Sequence, residues 1–145
     1  MSYKDNPYYF PGRYGCCKVG EVERREEIYG FDTIAVLAST ADDGGFYVGT
    51  DSGCSCPTPF EHYAGLDDFT GPLTADQCAE EVISLWLEPY DPYDLPALAD
   101  LLCGILDVKE LPGELAARII NGIRKKKREM FQRIMRADET GEDAE

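Results

Sequence analysis

The stretch that decides the fold runs from residue 31 to residue 52 and reads "FDTIAVLASTADDGGFYVGTDS". Its first ten residues are rich in β-branched and aromatic side chains, which favour strands. The segment "ADDGG" (41–45) then supplies the acidic and glycine residues that are typical of a hairpin loop. The segment "FYVGTDS" (46–52) follows as the returning strand. The sequence therefore predicts an antiparallel β-hairpin at about residues 31–52.

The hairpin needs further structure around it, because two strands alone are only marginally stable in water. A third strand could come from residues 16–30, "CCKVGEVERREEIYG", although the periodicity there fits a short helix equally well. Before it, residues 1–15 contain "YYFPGRYG", in which Pro and Gly interrupt regular structure. We expect these first residues to form an irregular arm that is anchored by its aromatic side chains.

The second half of the chain has helical periodicity. "TADQ" (74–77) is a capping box, with a hydroxyl at the N-cap and Gln at the third helical position, and it predicts a helix at about 74–88. Two more helices are predicted at about 94–107 and 113–137. The apolar face of the last helix comprises Leu115, Ile119, Ile123, Phe131 and Ile134.

These elements predict an α+β fold in which a small antiparallel sheet packs with C-terminal helices. We expect one domain with a β-rich part (1–73), which holds the aromatic arm and a cysteine loop, and a helical part (74–137). Residues 138–145 carry five acidic side chains and are predicted to form a disordered tail.

Charge is distributed unevenly along the 145 residues, whose formal net charge is −14. Residues 26–108 contain 17 acidic residues and no Lys or Arg, whereas residues 109–136 contain nine basic residues and three acidic ones. Such an acidic body repels phosphate, which argues against a general nucleic-acid-binding protein. It favours a partner with a basic surface instead.

The candidate binding residues follow from this layout. The acidic candidates are Asp42, Asp43, Asp67 and Asp68, and the basic candidates are Arg124, Lys125, Lys126, Lys127, Arg128 and Arg133. The basic cluster could contact nucleic-acid phosphates, or it could be a solvated face that offsets the acidic body. The apolar face of the same helix suits a protein core or a partner helix better than lipid, so we expect no membrane partner. Self-association through this helix is an alternative.

The cysteine loop "TDSGCSCPTPFEHY" (50–63) contains the only histidine of the chain. In one interpretation Cys54, Cys56 and His62 are zinc ligands, which would require a fourth ligand from elsewhere. In another, a cysteine thiolate beside His62 is a nucleophile. In the third, glycine and the prolines shape a tight turn, and Phe60 and Tyr63 pack onto the core. We favour the turn, because C-x-C is less usual than C-x2-C for zinc and the sequence does not fix a thiol against His62. We accordingly expect no enzymatic activity and no cofactor, with zinc as the alternative.

The start of the sequence bears on the compartment. Residues 1–15 lack the apolar segment of a secretory signal, and no run approaches the roughly 18 apolar residues that span a bilayer. We expect a cytoplasmic protein whose six cysteines stay reduced.

The run "TDSGCSCPTPFEHYAGLDD" after a strand that ends in "FYVGT" resembles small uncharacterised proteins encoded by phages of actinobacteria. In those proteins an S-D-S-G-C-S-C-P-x-P-F-E segment follows a hairpin, and the resemblance covers about residues 30–75. It implies a phage origin and expression inside a bacterial host, and it supplies no catalytic residues. Small phage proteins often bind a host protein. The expected function is therefore non-enzymatic binding, through the acidic body and the C-terminal helix, to a host protein with a basic surface. The alternatives are nucleic-acid binding through 124–136 and a zinc or thiol enzyme centred on the cysteine loop.

Overall fold

The computed structural model describes residues 5–25, 30–54, 58–88 and 94–140, and for residues 138–140 it describes the backbone alone. The fold is α+β, as predicted. A four-stranded antiparallel sheet has the order β1-β2-β3-β4. Its strands are β1 (Cys16–Glu23), β2 (Gly30–Ser39), β3 (Phe46–Cys54) and β4 (Thr70–Leu73). The helices are α1 (Ala75–Trp86), α2 (Leu95–Leu106) and α3 (Gly113–Thr140), and short 3-10 turns lie at Pro11–Tyr14 and Leu66–Asp68.

The predicted hairpin is confirmed, since β2 pairs with β3 from Gly30 opposite Cys54 to Ala38 opposite Phe46. The third strand comes from the segment that periodicity left undecided. Strand β1 pairs with β2, and its register shifts once, between Lys18 and Gly20. Because neighbours in the chain are neighbours in the sheet, the sheet is a simple meander.

Strand β4 is an element that the sequence patterns did not predict. Its residues are "TGPL", and Gly and Pro are both depleted in strands. Proline is tolerated here because β4 is an edge strand, which pairs with β3 alone. Leu73 lies opposite Phe46, so β4 brings the start of α1 next to the β2–β3 turn.

Helices α1 and α2 cover one face of the sheet. The predicted capping box starts α1: the Thr74 amide donates to Gln77 Oε1 at 2.9 Å, and the Gln77 amide donates to Thr74 Oγ1 at 3.1 Å. Helix α1 packs over β2 and β3, and α2 packs over β1. Alternate residues of β2 point into the core that the two helices share, because side chains alternate between the faces of a strand. This aliphatic face includes Ile34, Val36, Val82, Ile83, Trp86, Leu98 and Leu102.

The opposite face, called here the aromatic face, is covered by irregular chain. The N-terminal arm and residues 58–69 pack there over Leu37 and Cys16 of the sheet. The covering side chains include Tyr8, Tyr14, Phe60, Tyr63 and Phe69. The arm is therefore anchored by aromatic residues, as predicted.

Helix α3 packs on α1 with its first half only. Ile119 is 1% exposed, and a Cβ at Gly122 would overlap the side chain of Leu87. Gly122 thus leaves room for the Leu87 side chain at the end of α1, a role that differs from the slight weakening expected of a glycine inside a helix. The helix ends at Thr140, three residues beyond the predicted end. Residues 138–140 of the predicted disordered tail are therefore helical, and residues 141–145 of that tail lie outside the described residues.

Within the described ranges, no helix combines the length and the apolarity that crossing a bilayer requires.

Candidate functional site

The described part of the cysteine loop is clamped by Phe60, whose side chain is fully buried. The Phe60 amide donates to Asp51 Oδ2 at 2.7 Å, and the Phe60 carbonyl accepts from Asn6 Nδ2 at 2.7 Å. Its φ is 62°, in the left-handed region that non-glycine residues seldom adopt. The two hydrogen bonds and the burial of the ring together hold this conformation.

Aromatic contacts extend the clamp. The Phe60 ring stacks on Tyr8 with centroids 4.4 Å apart and meets Tyr63 edge-on at 4.9 Å. The Tyr63 hydroxyl donates to the Thr50 carbonyl at 2.8 Å, so the ring is tied to β3. Burial raises the pKa of Tyr63, and it also raises that of Tyr8, whose hydroxyl donates to Glu21. The prediction that Phe60 and Tyr63 pack the loop onto the core is confirmed.

The predicted ligand triad is only partly within the described residues. Cys54 is exposed at the end of β3, and the His62 side chain is 87% exposed with Nε2 3.7 Å from Glu61 Oε1. Cys56 lies outside the described residues. Among those that are described, no group of three or more His, Cys, Asp or Glu side chains is arranged to hold a metal ion. Zinc at Cys54, Cys56 and His62 therefore stays a prediction.

Two other cysteines belong to the core. Burial, with a smaller contribution from the charge of Glu81, raises the pKa of the Cys78 thiol to about 12. Burial likewise raises the pKa of Cys16. Because the thiolate is the reactive form, these two thiols are poor nucleophiles at neutral pH.

The acidic candidates lie in two different elements. Asp42 and Asp43 are exposed in the β2–β3 turn, whereas Asp67 and Asp68 lie in the 3-10 turn before β4. Asp68 has a structural role there, since its Oδ2 accepts from the amides of Ala64 at 2.7 Å and Gly65 at 3.1 Å.

A further acidic side chain, Glu81, lies on α1, which follows β4. Leu73, which pairs with Phe46 beside the turn, also lines a shallow hollow with Glu81. We call Asp42, Asp43 and Glu81 the acidic edge. Among the described residues, no Lys or Arg lies within ion-pairing distance of these three carboxylates. Glu81 was not among the predicted residues, because its link to the hairpin runs through Leu73 of β4, a strand that the sequence did not predict.

The basic candidates lie on α3, partly where the helix still contacts the end of α1 and partly beyond that contact. Lys126 Nζ donates to the Glu88 carbonyl at 3.3 Å, near the last turn of α1. Residues 127–140, called here the overhang, extend from that point. Their exposed apolar side chains include Phe131 (63% exposed), Ile134 (59%) and Met135 (46%). Phe131 and Ile134 thus belong to the predicted apolar face of the helix, but in this chain they lie in solvent.

Comparison with known proteins identifies a family for this chain but does not identify an activity. No curated protein and no solved structure matches the chain. A family model described as a domain of unknown function, DUF7574, matches residues 5–103. The match includes the whole sheet, the cysteine loop, α1 and most of α2, and it ends before α3. This chain belongs to the DUF7574 family.

Proposed function

We propose that this chain is a non-enzymatic accessory protein of phage type that binds a host protein with a basic surface. The observation that carries the proposal is the acidic edge. Asp42, Asp43 and Glu81 are carboxylates on neighbouring elements, and none has a described cation within ion-pairing distance. Such a group of unneutralised charges on a regular hairpin and helix suits recognition of a cationic surface.

The charge of the whole chain supports the same partner. A net charge of −14 on 145 residues produces a negative potential over much of the surface. That potential accelerates encounters with basic proteins and weakens as salt is added, because mobile ions screen it. The host would be the bacterium in whose cytoplasm a phage protein acts, a part of the proposal that follows from the resemblance of the cysteine loop.

The test begins with capture of a partner from an actinobacterial lysate and purification of that partner. Its dissociation constant is then measured by calorimetry for the wild type and for Asp42→Asn/Asp43→Asn/Glu81→Gln. The matched control, Asp100→Asn/Asp107→Asn/Glu110→Gln, removes the same charge from other exposed positions. We expect the edge variant to bind about 10-fold more weakly or worse, and the control to lose about 3-fold or less, because local complementarity exceeds the effect of net charge. Equal weakening by both variants would refute the assignment to the edge.

Nucleic-acid binding is the second candidate, and the basic side chains of 124–136, most of which are exposed, favour it. A 30-base-pair DNA duplex is the probe, and Lys125→Gln/Lys127→Gln is the variant. Nucleic-acid binding predicts affinity that falls steeply with salt, and a slope reduced by about one unit for each phosphate contact removed. A duplex affinity with those properties, together with nuclease-sensitive capture of the partner, would replace the protein-binding proposal.

A further inference from the structure

The overhang exposes an apolar patch on a projecting helix. Phe131, Ile134 and Met135 are spaced at i, i+3 and i+4, so their side chains lie on one side of α3. Each is about half exposed or more. Isolated exposed apolar residues are ordinary, but a contiguous patch of them marks an interaction surface.

A complementary hollow lies at the other end of the same helix. Its volume is about 420 Å³, and it lies between the first turns of α1 and α3 and the end of α2. Its apolar lining consists of Ala79, Leu106, Val108, Pro112 and Leu115, and its acidic lining of Asp76, Glu80 and Glu114. Val108 is 40% exposed although it is apolar. We call this feature the carboxylate-rimmed hollow.

The charges of the two surfaces are opposite. Glu80 pairs with Arg118 at 3.3 Å, whereas no Lys or Arg of the described residues lies within ion-pairing distance of Asp76 or Glu114. On the overhang, Lys127 and Arg128 precede Phe131 by one helical turn, so cations flank the apolar patch. An apolar patch with a basic border therefore matches an apolar hollow with an acidic border.

The two surfaces cannot meet within one molecule. Leu115 in the hollow and Phe131 in the overhang belong to the same continuous helix and are 16 residues apart. That separation corresponds to about 24 Å along the helix axis, at about 1.5 Å per residue. A second copy of the chain can supply what the first cannot.

We propose that the overhang of one copy docks in the carboxylate-rimmed hollow of a second copy. With the two α3 helices antiparallel, each copy donates its overhang and accepts that of its partner. The exchange makes a closed dimer with two equivalent contacts. This proposal is independent of the partner-binding function, because it uses neither Asp42, Asp43 nor Glu81.

The test is sedimentation equilibrium of the full chain between about 1 and 200 µM, the range in which weak protein dimers dissociate. The wild type should show a concentration-dependent increase in mass. Phe131→Ser should weaken association about 10-fold or more, because it removes the central apolar contact of the interface. The matched control Phe10→Ser, an apolar residue of the arm that is 43% exposed, should associate as the wild type does.

A charge exchange distinguishes docking from a general loss of solubility. Glu114→Lys and Lys127→Glu should each associate weakly alone, because each brings like charges together. An equimolar mixture of the two should recover association, because the variant hollow and the variant overhang are complementary again. A wild type that stays monomeric at 200 µM, or a mixture that fails to recover, would overturn the proposal. So would a monomer that binds anionic vesicles or DNA through Phe131, since the patch would then have another occupant.

Discussion

The two faces of the sheet are held by different kinds of interaction. On the aliphatic face, Ile34 and Val36 pack under α1 and α2, whose backbone groups are satisfied within the helices. On the aromatic face, the covering chain is irregular, and its backbone groups need partners from elsewhere. Side chains supply them: Asn6 and Asp51 bond the backbone of Phe60, and Tyr63 bonds that of Thr50. Hydrophobic burial is thus sufficient for a helical cover, whereas an irregular cover also needs polar side chains at fixed positions.

The largest expected effect lies on the aliphatic face. Trp86 is 1% exposed between α1 and the sheet, and Trp86→Ala should lower the free energy of unfolding by about 3–5 kcal/mol, because it removes apolar contact and leaves a cavity. The measurement is urea denaturation followed by far-ultraviolet circular dichroism. Ser84→Ala, an exposed change on the same helix, should alter stability by less than about 0.5 kcal/mol. A loss below about 1 kcal/mol for Trp86→Ala would show that apolar burial at Trp86 does not stabilise the aliphatic face as described.

A smaller effect is expected from the polar clamp of the aromatic face. Asn6 is 2% exposed, donates to the Phe60 carbonyl and accepts from the Tyr8 amide at 2.9 Å. Asn6→Ala should cost about 1–3 kcal/mol, because the buried Phe60 carbonyl and the half-buried Tyr8 amide lose their partner. Limited proteolysis should also cut residues 58–63 sooner in the variant. Asn121→Ala, on the exposed surface of α3, should change neither quantity. If the two variants behave alike, the Asn6 hydrogen bonds do not stabilise the cover of the aromatic face.

The same contrast explains which parts of the fold the sequence could predict. The hairpin, the start of α1 at Thr74 and the three helices depend on local periodicity and capping, and each was predicted close to its observed bounds. Strand β4 was missed because Gly71 and Pro72 oppose strand formation locally. Its residues form a strand because they pair with β3. The packing of Phe60 was predicted, but the hydrogen bond from Asn6, 54 residues away, was not.

Sequence periodicity also could not predict which part of the apolar side of α3 is exposed. Ile119 and Ile134 fall on one helical stripe by sequence, yet the first is buried against the core and the second is 59% exposed. Periodicity identifies the apolar side of a helix, but what covers that side depends on where neighbouring elements end. Because α1 ends at Trp86, the overhang extends beyond it, and the position of this boundary could not be inferred from α3 alone.

The stability of the two faces can also be compared at alkaline pH, because both faces contain groups with raised pKa values. Burial raises the pKa of Cys78 from 9.0 to about 12 on the aliphatic face, and it raises those of Tyr8 and Tyr63 on the aromatic face. A raised pKa in the folded state means that folding favours the protonated form. The stability that each group contributes is therefore fully present below its unfolded pKa and is lost as pH rises toward its folded pKa.

For Cys78 this window extends from about pH 9 to about pH 12. Within it, the wild type should lose about 1.4 kcal/mol per pH unit through this thiol, and Cys78→Ala should lose only what the other groups contribute. Below pH 8 the wild type should be the more stable protein, because Cys78 is fully buried and the alanine leaves a small cavity. The two stability curves, measured by urea denaturation under reducing conditions, should therefore converge and cross as pH rises above 9. Curves that stay parallel from pH 7 to pH 11 would mean that the thiol ionises as readily in the fold as in the unfolded chain, and the alkaline loss would then belong to the aromatic face.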